Sequence, residues 1–336
     1  MKRDAVRAGL AALLLVPLIA AGCSFDGGAG GGNGDGYPTK GIEYVVPFAP
    51  GGGVDLVARA VSEYASKEWG VPVNVVNKTG GGGAVGAEYA LKQAKKDGYT
   101  VLADNVSSTS MLVSGMKQPP VTLEDRQLTS RIVLDPIAFA VKADAPWKDM
   151  KEFTEWVKAH PDQLTWTSVG PAGTSAFGVA DWLSAVGVDF SKTRMVATTG
   201  AADSLPKVAG GHATLAVHTV AEVYPLASAG KVKILGVQAE ERSPYLPNVP
   251  TLKELGIEGV NVKWWTGLTV PKGAPDAVVK KWESTLQKMV KDPAFLEKMK
   301  TLHMEVSYQD AQTFTGFVLD EAKYYTELAE ARGMRK

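Results

Sequence analysis

Ile42-Glu43-Tyr44-Val45-Val46-Pro47-Phe48-Ala49-Pro50-Gly51-Gly52-Gly53-Val54-Asp55 runs from an apolar strand-like stretch, through a glycine turn, into a helical pattern. The helix is marked by one apolar face: Leu56, Val57, Ala60, Val61, Tyr64 and Ala65. A strand that turns through glycine into a helix brings backbone close to any guest at the strand end. The helix then presents unpaired N–H groups and roughly half a positive charge at its start. That combination holds an anion without lysine or arginine. Asp55 falls in the first helical turn, where it complements the dipole, and Arg59 stands four residues on as a partner.

The same unit recurs along the chain. Val73–Val76, Tyr99–Leu102, Leu164–Thr167, Met195–Ala197, Leu215–Val217 and Ile234–Val237 read as further short strands. Phe314, Phe317, Val318, Tyr324, Tyr325 and Leu328 mark a helical face near the C-terminus. Alternation of this kind predicts an α/β fold of parallel βαβ units, and no period of a solenoid is present. In open α/β sheets ligands bind at the carboxyl ends of strands. Those turns are rich in small and hydroxyl residues: Gly51–Gly53, Gly80–Gly83, Ser107–Ser110, Ser168–Ser175 and Thr198–Gly200.

The segment Gly81-Gly82-Gly83-Ala84-Val85-Gly86 also fits the dinucleotide fingerprint G-x-G-x-x-G, with Asp104 where a ribose-binding acid would stand. A dinucleotide-dependent oxidoreductase is therefore a rival. An exported location and the position of this turn, second rather than first in the fold, oppose it.

Export is read from the N-terminus. Lys2, Arg3 and Arg7 precede an apolar run from Leu10 to Ala21, too short for the hydrocarbon core. Ala20-Ala21-Gly22-Cys23 resembles a lipobox, which would make Cys23, the single cysteine, a lipidated first residue. Gly27–Gly36 is almost all glycine with Asn and Asp, a flexible tether, and folded structure is expected from about Pro38. Without the leader, 33 basic residues face 35 acidic ones, a balance that gives no support to nucleic-acid binding.

Catalytic sets are missing from the sequence. The four histidines, His160, His212, His218 and His303, lack metal-ligand spacing, and neither H-E-x-x-H nor G-x-S-x-G occurs. No cofactor, metal or catalytic residue is expected. His218 ends a strand and could face a cleft. His160 reads as a helix C-terminus, and Trp264-Trp265 as core or hinge packing more than pocket wall.

Beyond these local readings, the chain resembles the Bug-type (TctC-like) substrate-binding receptors of tripartite tricarboxylate transporters. Ile42, Val46-Pro47-Phe48, Gly51-Gly52, Asp55 and Ala58-Arg59 follow the family's first motif. Asn77, Gly80, Gly82-Gly83 and Gly86 follow the second, and Asp97-Gly98-Tyr99-Thr100 the third. Gly230-Lys231, Glu241-Arg242, Leu246–Leu252, Trp265 and Gly267-Leu268 continue the order. The resemblance implies a two-lobed, type II (Venus-flytrap) periplasmic-binding-protein clamshell with two crossover strands. Residues 1–23 would then be leader and lipobox, 24–37 tether, 38–139 plus 265–336 the first lobe and 140–264 the second.

It further implies a receptor, not an enzyme, for a small organic acid, di- or tricarboxylate-like, handed to membrane permease subunits. The protein would be a monomer, lipid-anchored at Cys23 on the outer face of the cytoplasmic membrane, or periplasmic. A carboxylate-sensing lipoprotein feeding a sensor kinase is the alternative. By position, the first-lobe ligand contacts would be Phe48, Gly51, Gly52, Asp55 and Ser107; from the second lobe Ser168 and Gly173 are expected, with Thr174, Thr199 and His218 serving the ligand's distal end in place of the usual residues. That lobe departs from the family pattern. Phe177 stands where a His is usual, and Thr198-Thr199 where Tyr-Lys is usual, which implies a less charged or differently shaped distal group.

Overall fold

The computed structural model describes residues 36–335. The leader, Cys23 and all but the last two residues of the expected tether lie outside the described residues. The first side chain to join the core is Tyr37, which packs edge-on against Tyr99 at 5.2 Å and donates its hydroxyl to the Gly98 carbonyl.

Strands and helices follow in the order β1 (Ile42–Val46), α1 (Gly53–Trp69), β2 (Val73–Asn77), α2 (Ala84–Glu88), β3 (Thr100–Asn105) and α3 (Ser110–Gly115). Next come β4 (Arg126–Asp135), β5 (Ile137–Lys142), α4 (Met150–Ala159), β6 (Thr165–Ser168), α5 (Thr174–Ala185), β7 (Arg194–Ala197) and α6 (Ala201–Ala209). The chain continues with β8 (Ala216–Thr219), α7 (Val220–Ser228), β9 (Val232–Gln238), β10 (Trp264–Pro271), α8 (Asp276–Met289), α9 (Pro293–Thr301), β11 (Val306–Gln309) and α10 (Ala311–Ala331).

These strands form two lobes. One holds a six-stranded sheet in the order β11-β4-β10-β3-β1-β2. The other holds a three-stranded sheet, β8-β5-β9, and a parallel pair, β6-β7, bridged to it through Trp166 and Leu215. The chain passes from the first sheet to the second across Pro136, between β4 and β5, and β10 brings it back. These are the two crossings of a clamshell.

Parallel βαβ units make up part of these sheets, and antiparallel pairs the rest. β1 does run parallel to β2 and β3. However, β10 runs antiparallel to both β3 and β4, and β5 antiparallel to both β8 and β9. A strand that returns from another lobe needs no βαβ crossover, so nothing forces it parallel.

Local chemistry explains the element ends. Helix α1 stops at Gly70, whose φ of 68° is left-handed, with its amide returning to the Ser66 carbonyl at 3.0 Å. His160 caps the end of α4, as its place before Pro161 predicts. Helix α5 is buried from Ser175 to Leu183 without a break, because it packs against β6, β8 and the long α10. Phe177, in the position where the family resemblance expects histidine, is fully buried at 5.1 Å from the Tyr325 ring. Among the described residues no helix is long and apolar enough to cross a membrane.

Candidate functional site

Three helices start at glycine and aim their N-termini into one crevice between the lobes. Gly52 precedes α1, Gly173 precedes α5 and Gly200 precedes α6, and none of the three has a side-chain cap. By contrast, Asp149 caps α4, Asp292 caps α9 and Asp310 caps α10. The uncapped ends leave first-turn amides without intrahelical partners, and each end carries roughly half a positive charge.

The crevice is lined from the first lobe by Phe48, Ala49, Pro50, Gly52, Gly53, Val54, Asn105, Ser107 and Trp264. The second lobe contributes Val169, Thr174, Ser175, Thr199, Gly200, Ala201, Ala202, Val217, His218, Thr219 and Glu222. It opens to solvent on one side and holds about 80 Å³, room for roughly half a dozen waters.

Of the expected contacts, Phe48, Gly52, Ser107, Thr174, Thr199 and His218 meet here. The other four do not line it. Asp55 is 1 % exposed. Its carboxylate accepts the Gly51 amide at 2.9 Å, the Asn77 side-chain amide at 2.9 Å and the Arg59 guanidinium at 2.8 Å. Burial alone would raise its pKa, yet these hydrogen bonds outweigh burial and hold the carboxyl below its ordinary value. Asp55 thus shapes the turn after β1 instead of lining the crevice. Gly51 opens onto a neighbouring surface hollow with Leu56 and Pro225. Ser168 donates its hydroxyl to the Gly170 carbonyl, and the Gly173 amide donates to that same carbonyl, so both fix the turn before α5.

Sequence reasoning missed Asn105, Trp264 and Glu222. Trp264 lines the crevice, while its neighbour Trp265 is fully buried in the core against Phe314. The Trp-Trp pair therefore divides between the two readings, as alternate residues of a strand must. Glu222 reaches across the lobes. Its Oε1 accepts the Gly53 amide at 3.0 Å, and its Oε2 lies 3.3 Å from His218 Nδ1. His218 Nε2 in turn meets the Ser204 hydroxyl at 2.8 Å. A second link between the lobes joins Ser107 Oγ to Thr174 Oγ1 at 2.8 Å and to the Thr174 amide at 3.1 Å.

The dinucleotide fingerprint has a packing role. A Cβ on Gly86 would lie 2.7 Å from both the Lys78 carbonyl oxygen and the Pro47 Cα. One on Gly83 would lie 2.9 Å from the Phe48 ring and from Ser108 Cβ. These glycines let the second turn pack directly behind the first, pressing Phe48 toward the crevice. Asp104 is fully buried and bound to Arg126, with no access to a ribose.

Comparison with known proteins agrees with this geometry. Residues 57–334 match the model of the tripartite tricarboxylate transporter family receptor. The UPF0065 protein in the gbd 5' region of Cupriavidus necator is 31 % identical over 302 residues, 90 % of each chain. The periplasmic binding protein BugD superposes with a TM-score of 0.82 at 30 % identity, covering 89 % of this chain and all of that one. MatC from Rhodopseudomonas palustris, solved with bound malate, shares the fold at a TM-score of 0.80 and 24 % identity, over 87 % of this chain and 99 % of its own. The chain therefore belongs to the receptor family of the tripartite tricarboxylate transporters, whose members are two-lobed solute-binding proteins and not enzymes.

Proposed function

We propose that the protein is an extracytoplasmic receptor that closes around a small organic carboxylate and presents it to the permease subunits of a tripartite transporter. One observation carries the ligand class. Three helix N-termini whose glycine N-caps offer no side chain converge on one crevice, and the described residues lining it include neither lysine nor arginine. Such a site satisfies a carboxylate through oriented amides and the hydroxyls of Ser107, Thr174 and Thr199. Capture needs two arrangements of the lobes related by a hinge motion. The links from Glu222 to Gly53 and from Ser107 to Thr174 hold the closed one.

Because only the folded protein binds, a ligand at about one hundred times its Kd adds about 2.7 kcal/mol of stability. A panel of mono-, di- and tricarboxylates screened by thermal unfolding is expected to yield at least one acid with a clear upward shift. Native mass spectrometry of the purified protein is expected to detect the co-purifying acid. A panel that leaves the unfolding temperature unmoved throughout overturns the reading.

For location, export with a lipid on Cys23 is the arrangement that the leader and the glycine tether support. Cys23→Ser is expected to move the protein from the membrane fraction to the soluble fraction on cell fractionation. A variant still sedimenting with membranes would remove the anchor.

A further inference from the structure

The crevice already contains a carboxylate. Its described ionisable lining consists of His218 and Glu222. Burial by itself would raise the Glu222 pKa, but hydrogen bonds from His218 and from the Gly53 and Thr219 amides hold it below the ordinary value, so it is ionised at neutral pH. Its position is fixed as well. Thr219 and Glu222 form a reciprocal cap on α7: the Glu222 amide donates to Thr219 Oγ1 at 3.2 Å and the Thr219 amide to Glu222 Oε2 at 3.3 Å.

Two consequences follow for a guest. First, the Gly53 amide at the start of α1 is taken by the protein's own carboxylate and the Thr174 amide of α5 by Ser107 Oγ, which leaves the other first-turn amides of α5 and α6 as the anion seats. Second, a guest spanning so small a crevice from α5 or α6 toward α1 meets a negative charge at its far end. A second carboxylate there faces like-charge repulsion in a poorly solvated space with no cationic lysine or arginine on the described wall. A hydroxyl or ammonium group at that end instead finds a fixed, charged acceptor.

We propose that Glu222 is the specificity-determining residue and selects acids with one carboxylate and a hydrogen-bond donor at the opposite end. This rests on the carboxylate-receptor reading given above and narrows its substrate class.

Matched four-, five- and six-carbon sets test it, each set containing the diacid, the ω-hydroxy acid, the ω-amino acid and the unsubstituted acid. Calorimetric titration of the full chain is expected to give, in at least one set, a donor-bearing acid that binds at least about tenfold tighter than its diacid. The hydroxy and amino arms identify which donor Glu222 accepts. Glu222→Gln is expected to reduce that ratio to near one or reverse it. Glu222→Ala, which frees the Gly53 amide, is expected to change it in the same direction. A diacid that binds tightest to the unaltered protein overturns the inference while leaving the carboxylate receptor in place. A donor preference that survives both substitutions overturns the assignment to Glu222. If no acid of any set binds, both readings fall together.

Discussion

Arg126→Ala is expected to destabilise the protein by about 3–5 kcal/mol, the usual cost of leaving one partner of a buried ion pair without the other. At about 2–4 °C per kcal/mol for a large domain, the midpoint of thermal unfolding falls by roughly 10 °C. Arg126 and Asp104 are both fully buried at the side chain and lie 2.5 Å apart. The guanidinium also donates to the Ser108 carbonyl at 2.5 Å and to the Thr122 carbonyl at 3.2 Å. Asp104 Oδ1 accepts from the Ser108 hydroxyl at 2.6 Å, the Thr109 hydroxyl at 2.5 Å and the Asn105 amide at 3.1 Å. One ion pair therefore holds the whole turn after β3, from which Asn105 and Ser107 reach the crevice. Ligand affinity should fall along with stability, because the Ser107 link to Thr174 depends on that turn. Replacing both charges by apolar residues of similar size should restore part of the stability but not the affinity, since the turn loses its acceptors. Urea unfolding checks the first claim and calorimetry the second. An Arg126→Ala protein within 1 kcal/mol of the unaltered one would remove the argument.

The Asp104–Arg126 pair also illustrates what the sequence did and did not disclose. The glycines that start α1, α5 and α6 were legible, because a glycine between an apolar strand and a helical pattern has one common physical use. All seven strands expected from apolar runs are present, with ends displaced by only a few residues. Four others were not legible: β4, β5, β10 and β11. Strand β4 carries Arg126, Gln127, Thr129, Ser130, Arg131 and Asp135, yet nearly all of it is buried. Its two arginines are satisfied by distant groups, Asp104 and Ser307, and no local period announces that. The same limit applies to Glu222. On α7 it reads as an ordinary first-turn acid, complementing the helix dipole. Only the folding of the second lobe against the first brings it to Gly53, 169 residues away along the chain.

Raising the pH from 5 to 8 is expected to weaken the protein through Glu321, by on the order of 3 kcal/mol. Glu321 lies on α10 and is 9 % exposed. Burial pushes its pKa from an ordinary 4.5 up to about 7, against hydrogen bonds from Ser110 and Trp265 that favour the charged form. Below about 4.5 the side chain is protonated whether the chain is folded or unfolded, and the stability is fully present. Between 4.5 and about 7 the folded protein holds a proton that the unfolded chain releases, so stability falls as pH rises and is lost through the folded pKa. The loss matters to the site because Glu321 Oε2 accepts from Ser110 Oγ at 2.6 Å and from Trp265 Nε1 at 2.8 Å. Those residues adjoin the Ser107 turn and the crevice wall at Trp264. Glu321→Gln keeps an oxygen for both donors and removes the proton equilibrium. The variant should match the unaltered protein near pH 4.5 and exceed it above pH 7. Asp135 and Asp181 are also raised by burial and contribute slopes of the same sign, but they cancel between the two proteins. Urea unfolding of both from pH 5 to 8 isolates the carboxyl, and two curves that stay parallel across that range would show that Glu321 is ionised in the folded protein at no cost.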